Sequence, residues 1–78
     1  MTAREVKRSL SIAGHRTSVS LEEPFWDQLK LVAAHDELSV AALVGQIDAD
    51  REPGAGSLSG SIRVFILNRL LGRLSQNH

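Results

Sequence analysis

Seventy-eight residues, 42 % of them apolar, make one small domain, which hides a modest share of the surface its unfolded chain exposes and gains stability from a partner. A formal net charge of zero withholds the overall basic excess that phosphate neutralisation usually needs. The absence of cysteine excludes disulfides, thiolate catalysis and cysteine-ligated zinc and agrees with a reducing, cytoplasmic setting.

Residues 1–7 are polar and charged without a period and are expected to form a flexible basic arm. Arg8-Ser9-Leu10-Ser11-Ile12 alternates, and from Arg16 to Leu21 alternation is strict, with Thr17, Val19 and Leu21 on one face and Arg16, Ser18 and Ser20 on the other. Side chains that alternate with β-branched residues on one face predict a short, half-buried strand. Gly14 between the two stretches serves as a turn or as a bulge, so a hairpin and one long kinked strand both fit. A lone strand leaves its backbone groups unpaired. Its partner is therefore residues 8–12 or the same strand of a second copy, and the second choice makes dimerisation obligatory.

Glu22-Glu23-Pro24 predicts a helix start, with carboxylates at the positive end of the macrodipole and proline where its missing donor does no harm. Phe25, Trp26, Leu29, Val32 and Ala33 fall on one broad face, and the helix is expected to stop near Asp36-Glu37. Ser39 then offers an N-cap for a second helix with Ala42, Leu43, Val44 and Ile47 as its apolar stripe. Pro53-Gly54-Ala55-Gly56-Ser57 breaks the helical pattern as a loop within a single domain of residues 8–74. Ser57 or Ser59 caps a third helix in which Ile62, Phe65, Ile66, Leu70 and Leu74 form a stripe that Val64, Leu67 and Leu71 widen. A helix apolar over so much of its circumference is buried on two sides, which points to a subunit interface. Residues 75–78 are expected to fray. The longest apolar run, Val64 to Leu67, is too short for a membrane span or a signal-peptide core.

Little in this chain is arranged for covalent chemistry. Gly54, Gly56 and Gly60 have neither the spacing, the preceding strand nor the lysine of a phosphate loop. His15, His35 and His78 are far apart, without ligand spacing. No enzyme, metal or cofactor is expected. The charges, in contrast, are segregated. Residues 1–21 hold Arg4, Lys7, Arg8 and Arg16 against Glu5, residues 57–78 hold Arg63, Arg69 and Arg73 with no acid, and the eight remaining acids crowd between them against Lys30 and Arg51. A basic arm on an acidic body suits a phosphate partner, although solvated faces produce the same counts. The strand's polar face, Arg16, Ser18 and Ser20, carries groups able to hydrogen-bond base edges, and a two-stranded ribbon has a width that the major groove accepts. Ser39, at a helix N-terminus, is a candidate phosphate anchor beyond its capping role.

The order strand, helix, helix, with Arg16-Thr17-Ser18-Val19-Ser20-Leu21 leading into an acidic helix start, resembles the ribbon-helix-helix superfamily of Arc and methionine repressors. More closely, Gly14-His15-Arg16-Thr17-Ser18-Val19-Ser20-Leu21-Glu22, then Phe25-Trp26, Ile47-Asp48 and Leu58-Ser59 before Ile62-Arg63-Val64-Phe65, is similar to short, mostly alphaproteobacterial ribbon-helix-helix domain proteins. The likeness covers roughly residues 8–72. It implies a mainly α fold with one short β-strand, built as an intertwined homodimer with an intersubunit two-stranded antiparallel ribbon, to which this chain is expected to add an extra C-terminal helix beyond the usual two. It also implies that Arg16, Ser18 and Ser20 contact DNA bases and that Ser39 contacts phosphate. Lys7 and Arg8, from the basic N-terminal segment, are further expected phosphate contacts. Val19, Leu21, Trp26, Leu29, Leu43, Ile47, Ile62, Phe65 and Ile66 are the expected dimer core.

Two features depart from that pattern. The turn His35-Asp36-Glu37-Leu38 lacks the glycine common there and sets two acids near Ser39, and Ser59-x-Ser61-Ile62-Arg63 itself resembles the opening of a second ribbon-helix-helix helix. Residues 39–50 are preferred for that role. The expected function is sequence-specific binding of double-stranded DNA by a small homodimeric transcriptional regulator, cytoplasmic and nucleoid-associated when bound. The alternative is a protein-interaction module, partner-binding or antitoxin-like, that keeps the fold without DNA binding. Neither reading includes a membrane or a small-molecule substrate.

Overall fold

A computed structural model describes residues 4–76. Two strands, β1 (Glu5–Ile12) and β2 (His15–Glu22), precede three helices, α1 (Glu23–His35), α2 (Val40–Ala49) and α3 (Leu58–Gln76). The strands pair with each other as an antiparallel hairpin in the register Glu5 to Glu22, Arg8 to Val19 and Ile12 to His15. The ribbon is therefore closed within one chain, from two strands and not one, which corrects the expected pairing between copies. The physical reason lies at the turn. Ala13 and Gly14 both have positive φ, 51° and 81°, as a two-residue type I′ turn requires, and such a turn matches the twist of the strands it joins at small loop-closure cost. β1 also takes in Glu5, Val6 and Lys7, which their aperiodic composition assigns to the arm; residues 1–3 lie outside the described residues.

The helices cover one face of the hairpin, α2 against β1 and both α1 and α3 against β2. Ile12, Val19 and Leu21 enter a core with Trp26, Leu29, Val32, Ala33, Leu43, Val44, Ile47, Ile62 and Ile66. Of the nine residues expected in a dimer core, eight are buried and Phe65 is half-buried inside a single chain. Trp26 joins the layers: 1 % exposed, it donates from Nε1 to the Val6 carbonyl at 2.9 Å while the Arg8 guanidinium lies 5.3 Å from its ring centroid.

The end of α1 and the starts of α2 and α3 are closed by local chemistry. α1 stops where Glu37 adopts φ 59° and the amides of Glu37 and Leu38 donate to the carbonyls of Ala34 and Ala33 at 3.1 and 2.8 Å. This is the Schellman pattern, with a glutamate in the left-handed position that usually holds glycine. Ser39 caps α2 by accepting from the Ala42 amide at 3.0 Å, and Ser57, not Ser59, caps α3 by accepting from the Gly60 amide at 3.0 Å. α3 extends to Gln76 and takes in Ser75 and Gln76 of the segment expected to fray, while Asn77 and His78 lie outside the described residues.

Two arginines lock α3 in place. Arg63 donates to Glu22 from Nε at 3.0 Å and from Nη2 at 3.2 Å, and to Glu5 from Nη2 at 2.9 Å, which ties α3 to the open end of the hairpin. Arg69 grips both oxygens of Asp36, the shortest contact being 2.6 Å, and so ties α3 to the end of α1. The Arg63 guanidinium holds the Glu22 carboxyl below its ordinary pKa and is itself raised, first by Glu22 and then by Glu5. Asp36 is lowered first by Arg69 and then by the His35 side chain, whose Nδ1 lies 3.1 Å from Oδ1.

Candidate nucleic-acid interface

The hairpin register sorts its side chains into two sets, because directly paired residues of an antiparallel ribbon project from the same face. Val6, Arg8, Leu10 and Ile12 share the helix-covered face with Thr17, Val19 and Leu21. Lys7, Ser9 and Ser11 share the outer face with Ser20, Ser18 and Arg16, as the direct pairs Lys7 to Ser20, Ser9 to Ser18 and Ser11 to Arg16. All six are exposed except Ser20, which is half-buried. The result is a compact field of two cations and four hydroxyls. Its only acids, Glu5 and Glu22, stand at the open end, where Arg63 engages both.

The structure thus brings Arg16, Ser18, Ser20 and Lys7 together and adds Ser9 and Ser11, which the pattern of β2 alone does not supply. The alternation of residues 8–12 is the signal that points to them, and the turn converts it into a second row on the same face. Arg8 does not belong to this set. It projects from the inner face over Trp26, one residue out of phase with Lys7. Ser39 stands apart from the ribbon at the start of α2, exposed, with its Oγ engaged by the Ala42 amide. Of the two acids expected to disturb it, Asp36 is neutralised by Arg69.

The basic C-terminal segment reads differently in three dimensions. Arg63 and Arg69 are both spent inside the chain, over the rings of Phe25 and Phe65 as well as on carboxylates. Only Arg73 of the three holds no ion pair among the described residues. The concentration of unengaged cations beside hydroxyls is therefore on the hairpin.

Strand geometry sets what this face can touch. Two strands lie about 5 Å apart, so the ribbon with its side chains fits a major groove about 12 Å wide. From residue 16 to residue 20 the polar row runs about 13 Å, which spans about four base steps at 3.4 Å each. Arginine offers a planar fork to guanine or phosphate, lysine a point charge, and serine a hydroxyl that both donates and accepts. Among the described residues no group of three or more His, Cys, Asp or Glu is placed to hold a metal ion, and no helix is long and apolar enough to cross a membrane.

Comparison with known proteins adds the family. Residues 5–70 match the sequence model of a family described as ribbon-helix-helix domain. No curated protein and no solved structure matches the chain. The matched span begins at the first residue of β1 and ends within α3, so it takes in the hairpin, α1, α2 and the larger part of α3, and the chain belongs to the ribbon-helix-helix domain family.

Proposed function

We propose that this protein is a homodimeric transcriptional regulator that binds double-stranded DNA sequence-specifically, with the outer face of its hairpin in the major groove. Ribbon-helix-helix domains are commonly DNA-binding transcription regulators and are typically non-enzymatic. The observation that carries the reading is the outer face itself: Lys7, Ser9, Ser11, Arg16, Ser18 and Ser20, with no acid among them. In this role Arg16, Ser18 and Ser20 contact base edges, with Ser9 and Ser11 beside them. Lys7 contacts phosphate, and the start of α2 at Ser39 anchors another. Arg8, stacked on Trp26, reaches phosphate only by swinging out from the ring. A face covering about four base steps gives limited discrimination, so two copies on two half-sites are part of the proposal. Such a protein works in the cytoplasm and sits on the nucleoid when bound.

The alternative is an interaction module that keeps the fold and binds a protein, and the exposed apolar side chains of α3 favour it. Fluorescence anisotropy against duplex from the protein's own upstream region, with competitor DNA at rising salt, decides between them. Binding that resists competitor and falls steeply with salt is expected. A folded protein that ignores both this duplex and mixed genomic fragments overturns DNA binding in favour of the module.

A further inference from the structure

We propose that the groove between α2 and α3 is a binding site for a small organic cation with an apolar body, an aromatic amine in its protonated form being the type. The groove shares no residue with the outer face of the hairpin, so the site stands whether or not that face binds DNA.

The groove has a volume of about 510 Å³, within the range of sites that take small organic ligands. It is held open by packing that lies behind it. Leu43 and Ile47 of α2 share one buried core with Ile62 and Ile66 of α3, while Arg63 and Arg69 tie α3 to the hairpin and to α1. Leu43, Ile47, Val64 and Phe65 form the apolar walls, and Val64 is 57 % exposed. An apolar body that covers these walls is taken out of water together with them.

Charge decides what that body carries. Three carboxylates and two arginines line the groove, but both arginines are engaged within the chain. Arg69 donates to both oxygens of Asp36, and Arg51 meets Asp48 at 3.1 Å and the Gly56 carbonyl at 2.8 Å. With Asp36 matched to Arg69 and Arg51 to Asp48, the uncompensated charges are those of Asp50 and Glu52, neither of which holds an ion pair among the described residues.

Both also stand at the unfavourable end of a helix. Asp50 is the C-cap of α2, whose last turn has no basic residue. A helix C-terminus carries partial negative charge, which repels carboxylates and attracts a cation. α1 also ends on an aspartate, Asp36, yet there Arg69 supplies the opposing charge. The chain thus compensates one acidic C-cap and leaves the other open beside an apolar groove. An ammonium group at Asp50 and Glu52 supplies what is missing, and Gln46, Ser61 and Asn68, also in the lining, offer hydrogen bonds to a polar substituent. An anion meets like charge there, and a neutral molecule gains the walls alone.

Tryptamine, tryptophol and indolepropionate set an ammonium, a hydroxyl and a carboxylate on the same indole, and each is titrated into the full-length protein while its methyl resonances are followed by NMR. Tryptamine is expected to shift Leu43, Ile47 and Val64 and to bind about fivefold more tightly than tryptophol, with indolepropionate weakest. Asp50→Asn/Glu52→Gln, at two exposed positions, is expected to retain tryptophol binding and to erase the advantage of tryptamine. Glu52→Gln alone, beyond the end of α2, is expected to reduce that advantage and decides if the double variant fails to fold. Equal binding of the three compounds, an advantage that survives the substitutions, or a groove whose methyls respond to none of them overturns the proposal.

Discussion

The two faces of the hairpin share a backbone, a register and an alternating sequence, yet they differ entirely in chemistry. On the inner face Val6, Leu10, Ile12, Val19 and Leu21 pack on the helices, and the one cation present, Arg8, is laid over an aromatic ring. On the outer face every position from Lys7 to Ser11 and from Arg16 to Ser20 is polar. In so short a ribbon, then, side-chain parity alone separates the packed face from the polar face proposed for recognition. A one-residue slip of register would send the serines into the core. The turn and the Trp26 anchor, which hold the register, thereby also aim the polar face.

The largest effect is expected where the inner face is broken. Trp26→Ala removes the biggest buried side chain together with its bond to Val6 and is expected to cost about 3–5 kcal/mol, measured by urea denaturation. A variant as stable as wild type would show that α1 does not hold the ribbon.

The outer face should respond in the opposite way. Arg16→Ala, alone or with Lys7→Ala, is expected to leave the urea midpoint unchanged while lowering DNA affinity. The slope of log affinity against log salt should fall by about one for each phosphate that the variant no longer touches. DNA binding equal to that of wild type would remove the ribbon as the reading surface, whereas a large loss of stability would abolish the division between the faces.

Smaller effects bear on how register and helix angle are held. Glu37 adopts at a cost a left-handed conformation that glycine adopts freely, so Glu37→Gly is expected to raise stability by about 1 kcal/mol. A loss of stability would mean that its side chain makes up for the strain. The carboxyls of Glu22 and Asp36 titrate lower in the folded chain than in the unfolded one. Their contribution is complete above the ordinary carboxylate range and is lost as pH falls through their lowered values. Thermal unfolding is therefore expected to separate wild type from Arg63→Met at neutral pH, and the gap should narrow as pH falls below about 4. A gap independent of pH would show that Arg63 acts through packing on Phe25.

Much of this architecture is legible in the residues themselves. The periodicities of α1 and α2, the cap at Ser39, the stop at Asp36-Glu37 and the polar parity of Arg16, Ser18 and Ser20 follow from local rules that the structure obeys. What escapes such rules is non-local or atypical. Ala13 is a poor marker of a type I′ turn, because an L-residue at positive φ is uncommon, so the pattern leaves the hairpin as one of two options and the family likeness pairs the strand across copies. The arm extends too far along the chain in that reading, since Glu5 and Lys7 have no apolar alternation of their own and join β1 through pairing with Glu22 and Ser20. Arginine counts also misjudge the C-terminal segment. Only the folded chain brings Arg63 to Glu22 and Arg69 to Asp36, 41 and 33 residues away in sequence.

The most direct test of the central claim is the perturbation of backbone amide resonances when duplex DNA from the protein's own upstream region is added. If the outer face reads DNA, the shifts concentrate at Lys7, Ser9, Ser11, Arg16, Ser18 and Ser20, with a second, smaller set at the start of α2 near Ser39. Shifts confined to α3 and the α2–α3 loop, or none at all in a folded protein, would contradict it.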